Sequence, residues 1–101
     1  MKRNNFECLA INYFPKETGL FVVSTVNRVC NSAIAYGVEY SETLVFFYPQ
    51  GVEGYGDPIW HGEHLAGSLY LHNRVSEWLR NNSNMDGFDD RRSEVYEQIR
   101  G

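Results

Sequence analysis

A small α+β domain is predicted by three features of this sequence: an alternating apolar stretch near the start, a β-branched and aromatic run stopped by proline, and one coherent apolar helix face in the second half. The 101 residues leave room for one domain, 1–101, around a single core. The expected architecture is an antiparallel sheet of three or four strands, with one main helix packed on a face and a short C-terminal helix alongside. Apolar residues at 43% and charged residues at 22% fit a folded chain rather than a disordered one.

The first strand is expected from about Phe6 to Phe14, where Leu9, Ile11 and Tyr13 alternate with Cys8, Ala10 and Asn12. The strongly apolar parity should face the core. Pro15-Lys16-Glu17-Thr18-Gly19 supplies turn chemistry before the β-rich Leu20-Phe21-Val22-Val23, so these two strands should form a hairpin. Residues 24–37 read two ways. Val26, Val29, Cys30, Ala33 and Ile34 have the spacing of a helix face, whereas Val, Thr and Asn form helices poorly and 33–40 also reads as extended chain. Of the two, the helix is the expectation.

Thr43-Leu44-Val45-Phe46-Phe47-Tyr48 is a strand by composition, ended by Pro49. Three Gly and two Pro within 49–58 make a loop, and Asp57-Pro58 has the chemistry of a helix start. From there to about Arg80, Trp60, Leu65, Leu69, Leu71, Val75, Trp78 and Leu79 share one half of a helical wheel. Gly62 and Gly67 weaken its first half, and Ser68–His72 has an alternative as a strand feeding a shorter helix from Asn73. Residues 81–88 form a polar linker, after which Asp89 or Asp90 would cap a last helix through Val95, Tyr96 and Ile99.

Charge constrains function more than any motif does. The net charge of −4 is unevenly spread: residues 1–28 balance to +2, residues 74–101 to −1, and Val29–His72 holds five acids with no Lys or Arg. Such a surface repels a phosphate backbone and attracts a basic partner. The five arginines of the C-terminal third, Arg74, Arg80, Arg91, Arg92 and Arg100, are diluted by six acids and make no basic stripe. Direct nucleic-acid binding is therefore not expected. Two cysteines, Cys8 and Cys30, are too few for a disulfide framework and read as buried, inert groups; with no secretory h-region and no long apolar run, a cytoplasmic location away from membranes is expected.

Three candidate chemistries compete. His61 and His64 have an i, i+3 helical spacing able to share a metal, while His72 would lie roughly 12 Å further along the axis. The sequence His-Gly-Glu-His is not the H-E-x-x-H pattern. Gly51, Gly54 and Gly56 suggest a phosphate cradle, but Glu53 and Asp57 oppose an anion there. The acids interleaved with aromatics make better sense as a contact surface. The expectation is a non-enzymatic binding protein without a cofactor, which inhibits or modulates a basic, nucleic-acid-handling protein, as immunity, anti-restriction and anti-CRISPR proteins do. Its partner-binding residues would be Glu39, Glu42, Glu53, Tyr55, Asp57, Trp60 and Glu63. A metal-binding domain or metal-dependent hydrolase using His61 and His64, and a self-associating subunit such as a homodimer, are the alternatives.

Overall fold

The computed structural model describes residues 7–53 and 56–90. Four strands, β1 (Glu7–Lys16), β2 (Gly19–Val29), β3 (Glu39–Pro49) and β4 (Trp60–Leu65), precede one main helix, α1 (Tyr70–Asn81). The strands form an antiparallel meander in the order β1-β2-β3-β4. Residues 88–90 begin a short C-terminal helix. The α+β class, the sheet and the two helices agree with the sequence-based expectation. The part of the last helix that carries Val95, Tyr96 and Ile99 lies outside the described residues.

The β1–β2 hairpin closes where expected, through Glu17-Thr18, with Lys16 opposite Gly19. Gly19 has φ +153°, and a Cβ there would strike the carbonyl of Tyr48 on β3. The turn thus requires glycine both for its backbone and for the close approach of β3.

Two element predictions are corrected. Residues 24–29 continue β2 as a strand, because both parities carry residues that pack: Val23 and Thr25 on one face, Val22 and Val26 on the other. Residues 60–65 are also strand, so the helix begins ten residues later than its apolar wheel suggests. Gly62 is buried opposite Thr43 in the β3–β4 ladder.

α1 packs across β1 and β2. Leu71, His72, Val75, Ser76 and Leu79 form its buried stripe, spaced as one helix face requires. Phe21, Val23, Val45, Leu71, Val75, Leu79 and Phe88 form the core, with Phe14, Phe47, Trp60, Trp78 and Met85 against it. The helix C-terminus is held by charge: the Lys16 ammonium donates to the Leu79 carbonyl at 2.6 Å, where the helix dipole favours a cation.

Candidate functional site

In a two-layer domain only one sheet face meets the helix. Asn12, Phe14 and Lys16 of β1, Phe21, Val23 and Thr25 of β2, Thr43, Val45 and Phe47 of β3, and Trp60, Gly62 and His64 of β4 lie on the helix side, as the strand register and contacts establish. Side chains alternate in a strand, so Ile11 and Tyr13, Val22 and Val26, Tyr40 to Tyr48 at even numbers, and His61, Glu63 and Leu65 lie on the other face. Among the described residues, no second layer covers it.

The polarity of β1 is reversed relative to expectation. Its polar parity, Asn12 and Lys16, lies under the helix and is satisfied there, while apolar Ile11 and Tyr13 face outward, Tyr13 at 60% exposure. Leu65 on β4 is 81% exposed. Between them Val22 and Leu44 are screened by their sheet neighbours, and the Phe46 and Tyr48 rings stack at 6.3 Å. An antiparallel sheet can face water on one side, but the water-facing parity is then normally polar. Here apolar and ring-bearing side chains run across β1, β2 and β3 at Ile11, Tyr13, Val22, Leu44, Phe46 and Tyr48, while on β4 Leu65 stands apart from them beyond Glu42 and Glu63. The β2–β3 connection adds exposed Ile34, Tyr36 and Val38 at one end.

Two predicted acids meet on this face. Glu42 and Glu63 are directly opposite one another on β3 and β4. Glu63 is exposed, whereas Glu42 is buried and occupied: Arg28 Nε donates to Oε1 at 2.7 Å, and His61 Nδ1 lies 3.2 Å from Oε2. Among the described residues Arg28 is the only Lys or Arg on the face, and Glu42 pairs with it. Glu42 is therefore a structural anchor rather than the free contact residue expected from sequence.

The remaining predicted residues do not form one patch. Glu39 is exposed at the start of β3, and Glu53 and Asp57 are exposed in the segment leading to β4, at the opposite end of the sheet. Trp60 points to the helix side, where it meets Phe88 edge-on at 5.4 Å and donates Nε1–H to Asp89 at 2.9 Å. Tyr55 lies outside the described residues. The contributors missed by sequence reasoning are Ile11, Tyr13, Leu65 and Val38. For Ile11 and Tyr13 the signal was the strand alternation itself, assigned to the core rather than to the open face; Leu65 was read on a helical wheel, and Val38 lies in the β2–β3 connection.

The histidines are also relocated. On a strand, i and i+3 project to opposite faces, so His61 reaches Glu42 on the open side while His64 bonds Thr43 on the helix side. They cannot share an ion. Among the described residues no group of three or more His, Cys, Asp or Glu is placed to hold a metal. His64 instead joins His72 through two buried hydroxyls: His64 Nε2 to Thr43 at 2.8 Å, Thr43 to Thr25 at 2.7 Å, and Thr25 to His72 Nδ1 at 2.9 Å. Burial pushes both imidazoles below the ordinary histidine range; for His72 the neighbouring His64 adds to this, and for His64 the Leu65 carbonyl and Glu42 oppose it.

Of the cysteines, Cys8 is exposed rather than buried, with its thiol 3.6 Å from the Ala10 carbonyl, and Cys30 is half-buried; both are free thiols. A cleft of about 490 Å³ opens beside Phe21, Phe47, Ile59 and Met85, with Asp86 at its rim. No helix among the described residues is long and apolar enough to cross a membrane. No family model, curated protein or solved structure matches this chain, so its site is defined by this geometry alone.

Proposed function

We propose that this protein is a non-enzymatic binding module that uses the open face of its sheet to hold a basic protein partner and so inhibit or modulate it. The observation that carries this reading is the reversed polarity of β1, with Ile11 and Tyr13 outward while Asn12 and Lys16 satisfy themselves against the helix. Exposed rings and aliphatic groups gathered on one uncovered face are typical of surfaces that become buried in a complex. Tyrosine gives large contact area at low entropy cost.

Charge favours a cationic partner. Arg28 is taken by Glu42, leaving Glu63 exposed on that face, with Glu39, Glu53 and Asp57 exposed at its two ends. A protein that handles nucleic acid offers a suitable counter-surface, because a groove built for phosphates is strongly cationic. An inhibitor of this kind would occupy the groove with carboxylates while its apolar side chains supply contact area.

The test is capture of a partner by the tagged protein, compared with Tyr13→Lys and Glu63→Lys. The expected result is a protein with a basic surface, retained at low salt, released progressively as salt rises and lost with either variant. Retention indifferent to both substitutions and to salt would refute the proposal. A mass that doubles with concentration and is abolished by Tyr13→Lys would instead assign the face to self-association.

A further inference from the structure

Between the sheet and α1 a single file of hydrogen bonds crosses the domain from β1 to β4. Asn12 Nδ2 lies 3.1 Å from His72 Nε2 and donates to Ser76 Oγ at 3.0 Å; His72 Nδ1 lies 2.9 Å from Thr25 Oγ1; the two threonine hydroxyls are 2.7 Å apart; Thr43 Oγ1 is 2.8 Å from His64 Nε2; and His64 Nδ1 is 3.3 Å from the Leu65 carbonyl. Its ends fix its direction. An amide nitrogen can only donate, so His72 Nε2 accepts and its proton is on Nδ1. That proton goes to Thr25, the Thr25 hydroxyl donates to Thr43, and Thr43 donates to His64 Nε2. The His64 proton is then on Nδ1 and goes to the Leu65 carbonyl. Every member is satisfied with both histidines neutral.

We propose that this file is a two-state relay: when the two histidines together take up one proton, every bond in the file reverses, His64 becomes the imidazolium, His72 converts to the Nε2–H tautomer and the side-chain amide of Asn12 flips. Imidazolium has two donors. Nδ1–H keeps the Leu65 carbonyl, while Nε2–H now donates to Thr43. Thr43 must then donate to Thr25, and Thr25 to His72 Nδ1. Each proton of the file moves one bond toward His64, so His72 gives its Nδ1 proton to Thr25, Thr25 gives one to Thr43 and Thr43 gives one to His64 Nε2, while a proton from water is taken up at His72 Nε2, where only the amide oxygen of the flipped Asn12 accepts it. The flipped amide oxygen also accepts from Ser76, so from Asn12 to Leu65 each contact of the reversed file again joins a donor to an acceptor. Without reversal, the buried Thr43 hydroxyl would have no acceptor within the file, which is costly in so dry a site. The net change is one proton gained from water by the pair: the proton that leaves His72 Nδ1 is relayed through the hydroxyls to make His64 the imidazolium, and the one taken from water stays on His72 Nε2, so His72 remains neutral.

The surroundings put the proton on His64 rather than on His72. His64 is half-buried whereas His72 is 2% exposed. β3 carries the Glu42 carboxylate on its opposite face, held by Arg28 and His61, and it attracts a proton to His64. From β1 the charged groups are Glu7 at one end and Lys16 at the other, the latter bonded to Leu79; β2 presents Thr25 and, on the far face, Arg28; β3 begins at Glu39; β4 adds His61 and Glu63 on the far face; α1 carries Arg74 and Glu77, paired with each other at 3.4 Å, and in its last turn Arg80, over the Phe14 ring. Asn12 lies between Ile11 and Tyr13, so the reversal is delivered to the strand that carries the outward-facing side chains.

Nitrogen-15 NMR of the histidine rings across a pH titration tests this on the intact chain. The expected result is that His72 changes from Nδ1–H to Nε2–H with the same midpoint as His64 protonation, while the amide spectrum stays native-like. Thr43→Val should leave His64 titrating but freeze the His72 tautomer, and Thr43→Ser, which keeps the hydroxyl, should restore the change. His72 remaining Nδ1–H through the His64 midpoint, becoming doubly protonated there, or switching normally in Thr43→Val would each overturn the proposal. So would unfolding before His64 takes up its proton. If Thr43→Val does not fold, Thr43→Ser and the wild-type midpoints decide it: coincident midpoints in both support the relay, separate ones refute it.

Discussion

Thr25 and Thr43 stand opposite each other on β2 and β3 with their hydroxyl oxygens 2.7 Å apart, both fully buried, and each passes that contact on to a histidine. Removing one hydroxyl strands its partners. Thr25→Val keeps the shape but leaves the His72 Nδ1–H without its acceptor and removes a partner from Thr43. A loss of about 1–3 kcal/mol is expected, the cost of an unsatisfied buried polar group. Urea denaturation measures it. A midpoint unchanged from the parent would show that this hydrogen-bond file contributes no stability.

The same two histidines set a pH dependence. In the fold both imidazoles are held below the ordinary value of 6.5, chiefly by burial. The unfolded chain therefore binds protons more readily than the native one, and stability rises with pH wherever that difference exists. Their contribution is fully present above about pH 6.5 and is lost as pH falls from there through the lower native values. Urea midpoints measured from pH 8 to pH 5 should decline, mostly below pH 6.5. A midpoint that is flat or rises on acidification contradicts the burial assigned to these rings.

Gly19 supplies a separate test, in the hairpin rather than the polar file. Gly19→Ala would place a methyl group against the Tyr48 carbonyl at a φ of +153°. A loss of about 1 kcal/mol or more is expected, since alanine fits positive φ poorly and here also has no room. Gly37, with φ +84° but open space where an alanine methyl would sit, separates the two causes. Its alanine variant should lose less than Gly19→Ala in the same thermal melt, and an equal loss would mean that crowding at Tyr48 is unimportant.

Much of the fold was legible because local chemistry and tertiary packing agree in it. Thr43–Tyr48 has both strand composition and a central position in the sheet, and the Pro15–Gly19 turn falls where the hairpin closes. The failures came where two periodicities coincide. In β4, Trp60 and Leu65 fit one helical half, but as strand residues they lie on opposite faces; the wheel cannot see that Val45 and Tyr40 pair with them. In β2, residues that pack on both faces erase the alternation that marks a half-buried strand. The placement of the acids departed from expectation for a related reason. A run of acids without cations was visible in the sequence, but not that Arg28, one residue before that run, pairs with Glu42 across the β2–β3 ladder. For β1, the greater apolarity of Ile11 and Tyr13 pointed them to the core, yet the helix brings Ser76, His72 and the Leu79 carbonyl, whose complements are Asn12 and Lys16.

Glu42 and Glu63 face each other across β3 and β4 yet should respond oppositely to substitution. Glu42→Gln removes the charge that Arg28 and His61 engage, and a destabilisation of about 1.5–3 kcal/mol is expected for charge-assisted bonds in a buried setting. Glu63 is exposed, so Glu63→Gln should leave the urea midpoint within about 0.5 kcal/mol of the parent. Equal effects of the two substitutions would contradict the division between a buried, paired acid and an exposed one.

The open face makes the last prediction. If Ile11, Tyr13 and Leu65 take no part in the core, replacing them with lysine should cost the fold little, because each side chain already projects into water. The apolar area they expose would nevertheless be reduced. A dye that fluoresces on exposed apolar surface should bind the parent and bind Tyr13→Lys plus Leu65→Lys several-fold less, while the thermal midpoint stays near that of the parent. Were these residues instead sealing the sheet from inside, the double variant would melt well below the parent and bind more dye, since a loosened core would be exposed. Falling dye binding with a steady midpoint is the outcome that only exposed surface groups produce.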